Sequence, residues 1–220
     1  MKKASNVKLS LRKLFTAMMA VGPLAVLPSP VWAALPSQAS ITVQNGSATV
    51  TTSGSTSTIA SSDRAVLQWG TGLFNIAGGE NYNFQVPPGG AVLNRVGTSS
   101  AADTATIAGQ LTSNGRVFIL ANGTINVASG ATVSTTGGLV LSAVPEENGA
   151  FLATGDLLYV ASATPGLNGT INIGTGAAPV NVAGNLTAVG GTVNHLSSSV
   201  TGDMILRSVN SGTAVNLVNT

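Results

Sequence analysis

Apolar positions in this chain alternate with small polar ones over short runs, and each run stops at Gly, Asn or Pro. That period of two predicts short β-strands separated by tight turns. The regular region begins at Ala65. Val66-Leu-Gln-Trp69 and Leu73-Phe-Asn-Ile76 flank Gly70-Thr-Gly72, Tyr82-Asn-Phe-Gln-Val86 stops at Pro87-Pro-Gly-Gly90, and Ala91-Val-Leu-Asn-Arg-Val96 follows. A polar connection over 99–106 leads into Ile107-Ala-Gly-Gln-Leu111. Next, Val117-Phe-Ile-Leu120 lies between Asn114-Gly115 and Asn122-Gly123. Asn-Gly tolerates positive φ, so each pair predicts a turn, and the apolar run between them predicts a strand buried on both faces. Ile125-Asn-Val127, Thr132-Val-Ser134 and Leu139-Val-Leu141 continue the alternation. Upstream, Ile41-Thr-Val43 and Ala48-Thr-Val-Thr51 flank a turn at Asn45-Gly46, whereas residues 51–58 contain only Thr, Ser and Gly and read as a flexible linker or frayed strand.

An internal repeat organises the strands. Gly-Thr-[Ile/Val]-Asn occurs at 123–126, 169–172 and 191–194, and a copy with one insertion is Gly212-Thr-Ala-Val-Asn216. The steps from Gly169 to Gly191 and from Gly191 to Gly212 are nearly equal, and the step from Gly123 to Gly169 is about twice as long. The long interval reads as two periods, with a degenerate copy expected at Asn148-Gly-Ala-Phe-Leu152. A period of about 22 residues indicates a solenoid, and strands this short and β-branched favour a parallel β-helix over a helical or leucine-rich repeat. Ile125 and Ile171 should point inward, Asn126 and Asn172 outward. Residues 34–106, with Trp69, Phe74, Tyr82 and Phe84, are expected to form an N-terminal cap and the first coils. Residues 107–220 are expected to continue the coils as far as Thr220, which falls within a repeat and suggests a truncated or unusually short rod.

Charge changes the picture in one respect. Lys2, Lys3, Lys8, Arg12 and Lys13 crowd the start of the chain, and Leu14–Leu27 is apolar. Pro28-Ser-Pro-Val-Trp-Ala-Ala34 completes the pattern of a signal peptide cut after Ala33, so that residues 1–33 are removed and the mature chain starts at Ala34. About 14 apolar residues are too few for a membrane span, which disfavours a retained anchor. Beyond Ala33 the chain carries four arginines, no lysine and seven carboxylates, a formal charge of −3. A basic nucleic-acid surface and a polybasic membrane patch are therefore not indicated. Only 7% of residues are charged, against roughly 25% in ordinary soluble proteins. There is no cysteine, so an exported chain would take its stability from its core or stay unfolded until it reached its destination.

Seven short motifs keep a characteristic order: Ala65-Val-Leu-Gln-Trp69, Phe74-Asn-Ile76, Tyr82-Asn-Phe84, Leu93-Asn-Arg-Val96, Ile107-Ala-Gly-Gln-Leu111, Asn114-Gly-Arg-Val-Phe118 and Gly137-Gly-Leu-Val140. Together they resemble the N-terminal secretion domain (haemagglutination activity domain) of filamentous haemagglutinin-like exoproteins, the exported partners of two-partner secretion systems. The likeness covers about residues 40–145. It departs from the family pattern after the Val-Phe strand, where an Asn-Pro-Asn-Gly-Ile turn is usual and Ala121-Asn-Gly-Thr124 stands here. The resemblance implies an all-β, right-handed parallel β-helix. It also implies passage through the periplasm of a Gram-negative bacterium to the cell surface or medium, and recognition by an outer-membrane β-barrel transporter with periplasmic adaptor domains. Members act as adhesins, haemolysins or toxins, and binding of a host-cell or surface glycan would fall to regions beyond this chain. No cofactor is implied. Asn114, Arg116 and Asn122, which flank the most ordered strand, are the candidate transporter contacts, recognition being suited to strand addition.

Enzyme chemistry finds little material. His195 is the single histidine and, by alternation with Val193, is expected to face outward. One histidine without cysteine does not make the usual zinc spacings. Glu146-Glu147 is the one adjacent acidic pair, and neighbours on a strand point to opposite faces. Asp63, Asp103, Asp156 and Asp203 are scattered, without the nonapeptide pattern of a calcium-binding roll. No phosphate loop stands between a strand and a helix, and the sequons at Asn45, Asn122, Asn168 and Asn185 are what a Ser/Thr/Asn-rich chain contains by chance. Two classes remain: an export-recognition module, which is not an enzyme, and a pectin-lyase-like β-helix acting on polysaccharide. The second needs Asp, Arg or Lys clustered on one face.

Overall fold

The computed structural model describes residues 35–145, 148–160, 168–209 and 214–216. The chain divides into two compact units, Met1–Trp32 and Ala33–Thr220, and every described residue belongs to the second. The expected cleavage site between Ala33 and Ala34 and the acidic pair Glu146-Glu147 lie outside the described residues. Among the described residues no helix is long and apolar enough to cross a membrane.

The second unit is an all-β parallel β-helix in which each coil contributes one strand to each of three sheets. The first coil holds β4 (Ala65–Trp69), β5 (Asn75–Ile76) and β6 (Asn81–Gln85), with β1 (Ile41–Asn45), β2 (Ala48–Ser53) and β3 (Thr56–Ser61) preceding it. The second coil holds β7 (Ala91–Val96), β8 (Thr104–Ile107) and β9 (Gln110–Ser113). The third is β10 (Arg116–Leu120), β11 (Thr124–Val127) and β12 (Thr132–Thr135). The fourth starts with β13 (Leu139–Ser142), leaves the solenoid through α1 (Asn148–Thr154) and β14 (Leu158–Val160), and returns as β15 (Thr170–Ile173) and β16 (Val180–Ala183). The fifth is β17 (Leu186–Gly190), β18 (Thr192–His195) and β19 (Ser198–Val200); β20 (Met204–Ser208) begins a sixth, and β21 (Ala214–Asn216) follows. Sheet A runs β1-β4-β7-β10-β13-β17-β20, sheet C runs β5-β8-β11-β15-β18, and sheet B runs β2-β3-β6-β9-β12-β16-β19.

Ala65, Val92, Val117, Leu139, Leu186 and Met204 stack on one another in sheet A, one per coil. Coil length therefore varies, and the coil from Leu139 to Leu186 is the long one. The wide interval between Gly123 and Gly169 is one coil with an excursion, not two periods. Thr124 pairs directly with Thr170, and Asn148–Leu152 is helical, so no hidden copy stacks there. The copy at 212–216 also leaves the repeat: Ala214–Asn216 pairs antiparallel with β14 in the excursion. Sequence spacing cannot distinguish a missing coil from a loop, because only pairing partners differ.

Where the repeat does hold, its residues have separate tasks. A Cβ at Gly123 would strike the Ala101 carbonyl, one at Gly169 the Gly123 carbonyl, and one at Gly191 the Asn168 carbonyl, so the corner admits only glycine. The isoleucines point inward: Ile125 and Ile171 are fully buried in the core. The asparagines form an outward ladder in which Asn172 Nδ2 donates to Asn126 Oδ1 (2.8 Å) and Asn194 Nδ2 donates to Asn172 Oδ1 (2.9 Å).

The Thr/Ser/Gly tract is ordered, contrary to the linker reading. β2 and β3 form an antiparallel hairpin turning at Gly54 (φ +58), and β3 joins β6 in parallel. Ser57 and Ile59 are buried, because alternation in this strand is carried partly by small polar residues that a hydrophobicity pattern overlooks. β1 likewise adds antiparallel to β4. These two additions place antiparallel strands at the N-terminal ends of sheets A and B, and the aromatics Trp69, Phe74, Tyr82 and Phe84 lie in the first coil. Trp69 and Phe74 meet edge-on at 5.0 Å, and Tyr82 stacks on Trp69 at 6.0 Å. The amide of Asn94 also enters this core: Asn94 Oδ1 accepts from Trp69 Nε1 (3.0 Å), and its Nδ2 donates to the Phe118 carbonyl (3.1 Å).

Candidate recognition surface

β10 is buried on both faces, as its apolar run predicts. Val117 and Ile119 face the solenoid core, while Phe118 and Leu120 face outward into a second core with Val66, Leu93, Phe151 and Leu157. Helix α1 covers this outer face of sheet A, and Phe151 meets Phe118 edge-on at 5.4 Å. With barely two turns the helix is too short to be stable in isolation, so tertiary contacts must hold it.

Arginines from three successive coils supply them. Arg64, at φ +54 just before β4, donates from Nη1 to the Leu152 (3.0 Å) and Ala153 (2.8 Å) carbonyls at the C-terminal end of α1. Those carbonyls have no partner within the helix, and the cation also complements the dipole. Arg95 Nε in β7 donates to Asn148 Oδ1 at the first residue of the helix. Arg116 Nη1 pairs with Asp156 just beyond it, Nε donates to the Gly137 carbonyl (3.3 Å), and the guanidinium lies 5.9 Å from the Phe118 ring centroid. In sequence the four arginines beyond Ala33 are scattered; that three of them converge on one helix follows only from the coil stacking.

The three candidate contact residues thus occupy different settings. Asn114 is exposed, but its amide bridges to the coil beneath: Oδ1 accepts from Val86 N (2.8 Å) and Nδ2 donates to Val86 O (2.9 Å). Arg116 belongs to the clamp. Asn122 is buried (3% exposed), with no partner for Nδ2, and offers no surface to another protein in the folded domain. The reason for the adjoining glycines also differs from expectation. Neither Gly115 nor Gly123 has positive φ; at both, a Cβ would collide with the preceding coil, with Val86 and Gly90 at one and with Ala101 and Asp103 at the other.

Two carboxylates have roles that the sequence reading did not assign. Asp103 is buried at the turn before β8, where it accepts from Thr98 N (3.2 Å), Ser100 N (2.6 Å) and Thr71 Oγ1 (3.3 Å). Glu80 is buried at the turn before β6 and accepts from Ala77 N (3.0 Å). A carboxylate closely following small turn-forming residues, Ser99-Ser100 in one case and Gly78-Gly79 in the other, was the available signal. Both acids close turns instead of facing a groove. Burial, with the nearby Glu80 charge, raises the Tyr82 phenol well above its usual range, against the lowering effect of its hydrogen bond to the Asn75 carbonyl (2.7 Å).

His195 is not on the outward row. It follows Val193 by two, hence lies on the same face, and stacks over the inward Ile173. It is exposed because β18 is the last strand of sheet C, and its Nε2 meets Ser198 Oγ at 2.8 Å. Among the described residues no three His, Cys, Asp or Glu side chains come together as a metal site. A groove of about 800 Å³ runs beside the clamp, between Thr42, Gln44, Gln68, Leu73, Arg95 and Asn148. The charged side chain in its lining is Arg95, whose Nε is engaged with Asn148 on α1.

No family model matches the sequence, and neither does any curated protein. Among solved structures, the crystal structure of the HMW1 secretion domain from Haemophilus influenzae superposes with a TM-score of 0.62 at 25% sequence identity. The match covers 73% of this chain and 41% of that one, so the chain spans about two fifths of its length. In fold and in sequence, this β-helix is similar to a secretion domain.

Proposed function

We propose that residues 34 to about 145 are the export-recognition domain of a two-partner secretion exoprotein of the haemagglutinin-like adhesin class. The signal peptide takes the chain to the periplasm, where the adaptor domains of an outer-membrane β-barrel transporter read it, and the product reaches the cell surface or medium. The observation that carries this reading is the likeness to the HMW1 secretion domain over 73% of the chain. It is supported by the seven ordered motifs, each of which falls on a strand or coil corner between β4 and β13.

The settings of Asn114, Arg116 and Asn122 bear on when recognition happens. In the folded coil their polar groups are occupied or buried. Contacts through these residues therefore belong to the chain before its third coil closes, when strand edges are open and side chains free for strand addition. Folding afterwards sequesters them and releases the carrier.

The test is co-expression with the cognate transporter. Wild type should accumulate outside the cell, and deletion of residues 65–141 should not. Export of the deleted chain at wild-type level would overturn the secretion-domain reading. Normal export of both Asn114→Ala and Arg116→Ala would remove only the residue assignment.

A further inference from the structure

The outward positions of the three sheets differ in chemistry. In the second, third and fourth coils, sheets B and C point Thr, Asn, Gln, Ser and Ala outward. Sheet A instead stacks Val66, Leu93, Phe118 and Val140 in one outward column, with Ala91 and Leu120 on the same face. The core inside the coils does not need this second apolar face. The excursion covers it with Phe151, Leu152 and Leu157, all of which follow the first three coils in the chain.

The cover is weakly built. Helix α1 has seven residues and buries one of them, Phe151. Gly149 lies within it, although its φ is not positive and a Cβ there would meet nothing within 4 Å. Neither backbone geometry nor packing calls for glycine at that position, and glycine weakens a helix relative to alanine. Open space lies at both ends of α1: the groove of about 800 Å³ beside Asn148, and a cavity of about 190 Å³ lined by Arg64, Arg116, Thr154 and Asp156. The rest of the hold is polar and comes from Arg64, Arg95 and Arg116. An apolar face ringed by cations under so short a helix can accept another helix of the same chemistry.

We propose that the outward face of sheet A is the docking surface for the transporter, and that α1 is the element that closes it. This rests on the secretion-domain reading, and it extends the window for recognition from the closing of the third coil to the docking of α1. In a chain that enters the periplasm N-terminus first, β4, β7 and β10 stack before residues 148–157 arrive. The partner is an acidic amphipathic helix on the transporter's adaptor domains. Its apolar side covers Val66, Leu93 and Phe118. Its last carbonyls take the contacts that Arg64 makes with Leu152 and Ala153, and a carboxylate just beyond them stands in for Asp156 at Arg116. Helix α1, tethered to the same chain, then competes at high effective concentration, displaces the transporter's helix and releases the folded domain.

The test is the affinity of the purified chain for the whole transporter in detergent, read in substitutions of opposite sign. Apparent affinity falls with the fraction of chains in which α1 is docked. Phe151→Ala removes the edge-on contact with Phe118 and should tighten binding by about tenfold or more. Gly149→Ala strengthens α1 and should weaken binding about threefold; exposed and with open space around it, this change leaves the coils intact. In the Phe151→Ala chain, Arg64→Glu should weaken binding about tenfold, by setting a like charge against the partner's acidic end. Since Arg64→Glu also loosens α1, a purely structural role for Arg64 would leave binding unchanged or tighten it. Affinities that move with neither Phe151→Ala nor Gly149→Ala would overturn the proposal, as would a transporter that binds none of these chains or an Arg64→Glu chain that binds as tightly as its parent. Should export still require residues 65–141 in any of those cases, the docking face falls and the secretion-domain reading stands.

Discussion

Replacing Ile171 with Asp tests the assignment of inward and outward rows most directly. Ile171 is fully buried in sheet C, stacked between Ile125 and Val193. Removing it forfeits about 2 kcal/mol of apolar burial. The new carboxyl finds no cation in the coil interior and must be buried unpaired or held protonated at neutral pH, adding about 3–4 kcal/mol. The total, about 5–6 kcal/mol, is comparable to the whole stability of many domains. The adjacent change Asn172→Asp sits on the outward ladder. It loses the donor to Asn126 Oδ1 and keeps the acceptor for Asn194 Nδ2, a cost of about 1 kcal/mol at a half-exposed site. Urea unfolding followed by circular dichroism separates the two. Asn172→Asp should lower the midpoint by about 0.5 M, whereas Ile171→Asp should leave no cooperative transition in the wild-type range. Equal losses from the two substitutions would refute the row assignment, and with it the claim that sheet C closes a core.

Four further outcomes follow from the same geometry. Asn94→Leu should cost about 2 kcal/mol in urea unfolding despite its added apolar volume, because it strands the Trp69 indole N–H and the Phe118 carbonyl in the core. Arg116→Ala should cost about 1–2 kcal/mol and, in limited proteolysis, should speed cleavage near Asp156 more than cleavage near Ile41, since it loosens the clamp on α1 alone. Gly169→Ala should destabilise by about 2 kcal/mol or more, because the Cβ meets the fixed carbonyls of Gly123 and Asn122 rather than a movable side chain; a neutral effect on the urea midpoint would mean that the corner is looser than this. Tyr82 supplies a pH dependence. Its folded phenol keeps its proton above about pH 10, where the unfolded chain loses it, so stability is unaffected below about pH 10 and falls above it by about 1.4 kcal/mol per pH unit. Tyr82→Phe should flatten that alkaline slope, as measured by urea midpoints at successive pH values.

The local rules determined by themselves which residues are strands and which face is core. Alternation placed Ile125, Ile171 and Val133 inside, and the apolar run of β10 declared burial on both faces. The repeated Gly-Thr-[Ile/Val]-Asn announced a stacked coil, since a corner glycine and an outward amide are needed once per turn wherever coils pack directly. What covers the second face of β10 was not legible. Helix α1 is held by Arg64, Arg95 and Arg116, each from a different coil, and by Phe151, which has no amphipathic pattern around it. Coil length was equally hidden. The interval from Gly123 to Gly169 reads as two periods until strand pairing shows Thr124 beside Thr170. The same limit explains Asn114 and Asn122, identical Asn-Gly pairs by sequence. One braces its coil from the surface and the other is buried, because the surroundings of a corner are set by the coils stacked below and above it. Period and polarity are properties of neighbours along the chain, whereas partners and burial in a solenoid are decided one whole turn away.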